Sequence, residues 1–309
     1  MMPHRRNPNL CSTFGWQSQP SKTYRSFVMQ SPKDIVVYID STAQEAFRSR
    51  IEYAAALAHG WGAHLVVAFA PEDLSLNLHA GFTRGAATIN MLTAFERRRS
   101  ETEELARKLL QAAGTKFDIS WEFRLCEGER GETLMLHARH SAIAVLGSSR
   151  EPERQVTALT MSEDVIFASG RPSVLLPVDW SSEPFPKTIV IGWNASSEAT
   201  RAVSDAMPFL KMAEEVHLVV VPEPKIARLL GEDPGSDIAR HLARYDIPVV
   251  LDRLDGGNAA DLLFSKVEQT GADMLVVGAY GQPKITEFVF GSVTQTLLSA
   301  PAVPVLLSR

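Results

Sequence analysis

Cysteine is scarce in this chain. Cys11 and Cys126 are the only two in 309 residues, too few for a disulfide framework and without metal-ligand spacing, so a staple-held secreted fold and a zinc module are both excluded. A reducing cytoplasm fits best. Long apolar runs are missing as well, and none approaches the ~20 residues needed to span a bilayer. Acidic residues are absent from residues 1–33, where Arg5, Arg6, Lys22, Arg25 and Lys33 lie among Ser, Asn, Gln and Pro. That stretch has no apolar segment of the kind a secretory signal needs. Its composition predicts a disordered basic tail, with Met29 as an alternative start just ahead of the first clear strand. A net charge of −5 supplies no electrostatic footprint for nucleic acid.

The remaining length is comfortable for two α/β domains, each with its own core. Asp34-Ile35-Val36-Val37-Tyr38-Ile39-Asp40 is an apolar strand closed by a polar turn, and residues 43–59 follow with apolar side chains at helical spacing. Ile189-Val190-Ile191-Gly192-Trp193-Asn194 repeats the arrangement ahead of a helix over 198–212. Second strands are predicted at 64–69 and 216–221, later strands at 143–147 and 274–278, and closing strands at 172–176 and 303–307. Alternating strands and helices of this kind specify parallel sheets flanked by helices, so the fold class is α/β with two tandem open parallel-sheet, Rossmann-like domains. The boundaries are a tail over 1–33, a first domain over 34–177, a linker over 178–187 rich in Pro and Ser, and a second domain over 188–309. Within the first domain, residues 71–90 read as a surface excursion. A charged amphipathic helix follows over 93–113.

The densest signal lies near the C-terminus. Gly278-Ala279-Tyr280-Gly281, nine further residues and Gly291-Ser292 give the spacing Gly-x2-Gly-x9-Gly-Ser between the strand ending in Met274-Leu275-Val276-Val277 and a helix over 293–298. A glycine-rich turn from strand end to helix start lets backbone approach an anion while free N–H groups and the helix dipole supply positive potential. The spacing is neither that of a dinucleotide fingerprint nor that of a P-loop. Glycines in such a turn also have a purely structural reading.

With these residues in view, the chain resembles the universal stress protein family, in its tandem two-domain form, from about Asp34 to Arg309. Phe290-Gly291-Ser292-Val293-Thr294 and Ala300-Pro301-x-Pro-Val-Leu-Leu strengthen the likeness. The resemblance implies an adenine nucleotide alpha hydrolase-like fold. It also implies ATP, with or without Mg2+, held chiefly in the second domain by Gly192, Asn194, Val277, Gly278, Gly281, Gly291, Ser292 and Val293. In ATP-binding members an Asp follows the first strand, near the adenosine end. Asp40 matches it in the first half, whereas Asn194 stands there in the second. The first half departs further, with Arg150 at the second glycine position and Thr160-Met161 in place of Gly-Ser. One nucleotide per chain is therefore expected.

The implied function is a cytoplasmic, nucleotide-binding stress-response regulator or scaffold, with adenine nucleotide as its small-molecule partner and neither nucleic acid nor membrane as a partner. Family members pair through their last strands, so 174–176 and 305–307 are expected to meet as an internal pseudo-dimer, with a homodimer as a further arrangement. Two alternatives are a nucleotide-free dimerisation or interaction module and an enzyme of adenylyl or phosphoryl transfer on the same fold. Against the enzyme, the sequence has no His-x-Gly-His pair, no Ser-Gly-Gly-x-Asp-Ser loop and no nucleophile and base constellation, which points to weak ATPase activity at most. His137 and His140 read as exposed helix residues, Gly60-Trp61-Gly62 as a helix-ending turn and Asp255-Gly256-Gly257-Asn258 as a helix cap.

Overall fold

Among the described residues the strands form one ten-stranded sheet in the order β3-β2-β1-β4-β5-β10-β9-β6-β7-β8. The computed structural model describes residues 31–39, 44–71, 86–126, 130–148, 161–178, 180, 183–221, 233–254, 256–279 and 301–309. In the first half the elements are β1 (Asp34–Ile39), α1 (Gln44–Trp61), β2 (His64–Phe69), α2 (Ala86–Phe117), β3 (Trp121–Leu125), α3 (Arg130–Arg139), β4 (Ile143–Gly147), α4 (Met161–Ala168) and β5 (Ser173–Leu176). The second half has β6 (Thr188–Trp193), α5 (Ser197–Leu210), β7 (Glu215–Val220), α6 (Ser236–Ala243), β8 (Val249–Arg253), α7 (Ala259–Thr270), β9 (Met274–Gly278) and β10 (Val305–Ser308).

Within each half every strand pairing is parallel, β1 lying between β2 and β4 and β6 between β7 and β9. These strands are covered on both faces, which is why they read as continuous apolar runs rather than as alternation. Along β1, Val37 faces the layer built from α1, α2, α5 and α6, and Val36 faces the layer built from α3, α4 and α7. The edge strands look different. Trp121-Glu122-Phe123-Arg124-Leu125 and Val249-Val250-Leu251-Asp252-Arg253 are half-exposed and charged, as edges that resist pairing with other chains should be.

The closing strands meet. β5 and β10 run antiparallel, with Val305 opposite Leu175 and Leu306 opposite Val174, so 174–176 and 305–307 come together in one ladder as the family resemblance implied. Leu306, Val174 and Leu176 belong to one apolar layer, and Leu175, Val305 and Leu307 to the other. Both layers therefore pass through the join. Outside the sheet, Trp61 at the end of α1 stacks edge-on against Phe209 of α5 at 4.9 Å and against Phe185 of the connecting segment at 5.5 Å. Gly60 lets the ring come close, since a Cβ at that position would lie 2.4 Å from the Phe185 ring.

Local expectations are met at the turns within the described residues. Gly62, at φ +61°, ends α1, with its N–H donating to His59 O at 3.2 Å and that of Ala63 to Ala58 O at 2.8 Å, a helix stop that needs a left-handed residue. Asn258 caps α7 by accepting from Ala260 N at 2.8 Å. One boundary is corrected. The charged helix of the first half begins at Ala86 rather than Thr93. Ile89, Met91 and Leu92 in its first turns are exposed, so no buried face marked its start in the sequence. The tail, most of the excursion at 72–85 and residues 280–300 lie outside the described residues.

Candidate functional site

An open parallel sheet binds ligands beyond the carboxyl ends of its strands, where the strand order reverses. In the second half that point lies between β6 and β9, which pair with Ile189 opposite Met274 and Ile191 opposite Val276. Gly192 is thereby set beside Val277, and Asn194 and Gly278 stand at the carboxyl ends of the same two strands. Gly281, Gly291, Ser292 and Val293 lie outside the described residues, as do Asp40, Arg150 and Thr160 of the first half.

The four described positions are held by local chemistry. Asn194 Oδ1 accepts from Ser196 N at 3.1 Å, turning the chain through Ala195 at φ +57°. Ser196 then caps α5 by accepting from Ala199 N at 3.1 Å. The Asn194 oxygen is thus engaged in its own turn, and its NH2 carries two donors that the turn does not use. This cap escaped sequence reasoning, although Asn-Ala-Ser-Ser-Glu ahead of an apolar helix is a recognisable start signal. Gly192 packs tightly, since a Cβ there would lie 3.0 Å from Leu263 and 3.1 Å from Val277.

Gly278 has a different reason to be glycine than the one its motif suggests. A Cβ at this position would lie 2.6 Å from Ala199 N and 2.6 Å from the carbonyl carbon of Glu198. The end of β9 and the first turn of α5 are in backbone contact. Glu198 places a carboxylate in that turn, where it complements the helix dipole and competes with any anion approaching the same N–H groups.

The first half is arranged differently at the matching point. Gly147 ends β4, and a Cβ on it would lie 2.7 Å from the guanidinium carbon of Arg50. Arg50 is 4% exposed and donates from Nη1 to Tyr38 O at 2.9 Å. Ser162, in the first turn of α4, donates its hydroxyl to Gly147 O at 2.8 Å. The Tyr38 hydroxyl donates to Leu134 O, and burial raises its pKa far above the ordinary phenol value.

Elsewhere the polar clusters are structural. His137 is half-buried rather than exposed, with Nδ1 3.2 Å from Arg124 Nη1; burial and then the Arg124 charge lower its pKa, and the cation beside it opposes metal. Burial pushes the Cys126 thiol up to about 11 against the pull of Arg124, which leaves it unreactive. Asp252 ties the β7–β8 edge to α7 through His217 Nδ1 at 2.9 Å and Lys266 Nζ at 2.8 Å. Burial works to raise its pKa, but these two partners outweigh it and hold the carboxyl below its usual range. Among the described residues no group of three His, Cys, Asp or Glu side chains is placed to hold a metal ion, and no helix is long and apolar enough to cross a membrane.

The family model described as the universal stress protein family matches residues 186–309. No curated protein matches the chain by sequence. Among solved structures, a universal stress protein from Archaeoglobus fulgidus DSM 4304 aligns with a TM-score of 0.64 at 17% identity, covering 89% of this chain and 98% of its own. A functionally unknown protein from Pseudomonas aeruginosa PAO1 aligns with a TM-score of 0.56 at 14% identity, over 92% of this chain and 94% of its own. At such identities the likeness is one of fold, and it runs through both halves.

Proposed function

Because residues 186–309 form a universal stress protein domain, we propose that the chain is an adenine-nucleotide-binding regulator or scaffold of the stress response, holding ATP in its second half. The observation that supports the reading is the pairing of β6 with β9 at the reversal point of a parallel sheet, with Gly192 packed beside Val277 at the strand ends. On this reading the NH2 of Asn194 serves the adenosine end. Gly281, Gly291, Ser292 and Val293 wrap the phosphates, with Mg2+ accompanying them.

ATP that co-purifies with the native full-length chain, identified by mass spectrometry, is the expected result. Gly281→Val should stay folded and lose the nucleotide, because a β-branched side chain takes the space that close approach of a phosphate to the backbone needs. Wild-type affinity in that variant would refute the loop assignment. Turnover should be slow, since no residue is assigned as a base to activate water. Rapid multiple turnover abolished by replacing one carboxylate would favour adenylyl or phosphoryl transfer instead.

A further inference from the structure

The two halves can be matched residue by residue through their registers. Ile35 pairs with Ile143 as Ile189 pairs with Met274, so Tyr38 corresponds to Gly192 and Gly147 to Gly278. The helices match by burial: Phe47, Ile51, Ala54 and Leu57 of α1 face the sheet as Ala199, Val203, Ala206 and Phe209 of α5 do. On this alignment Arg50 falls on Ala202, which is 1% exposed. A buried guanidinium in one half therefore stands where the other has a methyl group.

The guanidinium bridges the ends of the two strands that flank the reversal point of the first half. It donates to Tyr38 O of β1 at 2.9 Å and lies against the Cα of Gly147, closing the space a side chain on β4 would take. In the second half the corresponding strand end, Gly278, is met by the α5 backbone at Glu198 and Ala199 instead, and the position that matches Arg50 carries only the buried methyl group of Ala202. A ligand entering the first half at this point would have to displace a hydrogen-bonded, desolvated cation. Separating such a cation from its partners in the interior is costly.

We propose that Arg50 is the residue that denies the first half a nucleotide, acting as a built-in occupant of the β1–β4 crevice, and that Ala202 is what leaves the β6–β9 crevice open. The assignment of nucleotide to the second half rests on the function proposed above; the closure of the first half by Arg50 does not. Degenerate loop residues and the Arg50 side chain then act in series. Removing the side chain restores access for the nucleoside part alone.

The test uses the full chain and adenosine, which needs no phosphate loop. In Arg50→Ala, millimolar adenosine should slow hydrogen exchange of the amides following β1 and β4, with no such protection in wild type at the same concentration. If Arg50→Ala does not fold, Arg50→Met keeps the aliphatic stem and deletes the guanidinium, and the same protection is expected. A folded variant that takes up no adenosine in the first half overturns the proposal. The reciprocal change, Ala202→Arg, should weaken ATP binding about 100-fold or more, since a cation must be buried or expelled at the site. Ala202→Arg that folds and binds ATP as wild type does would also overturn it. Wild type that binds no ATP refutes the proposed function, while the adenosine result with Arg50→Ala still decides the role of Arg50.

Discussion

Leu306→Ala is expected to cost about 2–5 kcal/mol of stability, the range for deleting a leucine side chain from a packed interior. Leu306 is fully buried on β10, opposite Val174 on the antiparallel side and Val276 on the parallel side. The cavity would open at the join of the two halves, in an apolar layer that both share. Urea unfolding followed by far-UV circular dichroism should therefore show a single transition, in wild type and variant alike, displaced as a whole. Two separate transitions, with only one of them shifted, would mean that the halves are energetically independent and that the continuous sheet does not couple them.

Gly278→Val should reduce stability by ~3 kcal/mol or more, at or beyond the upper end of the usual cost of overpacking. Its Cβ would fall 2.6 Å from two backbone atoms of the first turn of α5, and backbone cannot swing aside as a side chain can. Gly147→Ala in the first half is the informative contrast, since there the Cβ meets the far end of Arg50. That side chain can move, and the loss should be smaller. Thermal melts of the two variants measure the difference. A Gly278→Val protein that melts like wild type would mean that the glycine serves a ligand and not the packing of α5.

These two sites show what the sequence made legible. Buried parallel strands such as Ile35–Ile39 and Ile189–Ile191 write themselves as apolar runs because both of their faces are covered. The duplication and the closing strands followed from that pattern, whereas the meeting of those strands was what the family resemblance implied. The edge strand β3 did not stand out, because Glu122 and Arg124 interrupt it for the solvent it faces. Arg50 was silent for the opposite reason. An arginine in an amphipathic helix reads as solvated, and only the tertiary placement of Tyr38 O and Gly147 shows it buried.

In the candidate site the motif left the roles of its members open. Gly278 is explained by contact with Glu198 and Ala199, and Asn194 spends its oxygen on Ser196 N. Asn at 194 thus serves the entry to α5 whether or not a ligand is present. An Asp there would accept from Ser196 N equally well and add charge near a helix N-terminus. The step from Asp40 in one half to Asn194 in the other is for that reason compatible with an intact fold in both.

The central claim is that one half of a duplicated chain holds the nucleotide. Titration calorimetry of the full chain with ATP tests it most directly. The account predicts a stoichiometry near one per chain, abolished entirely by Gly281→Val and unchanged by Asp40→Ala. A stoichiometry near two, or loss of binding in Asp40→Ala alone, would contradict it.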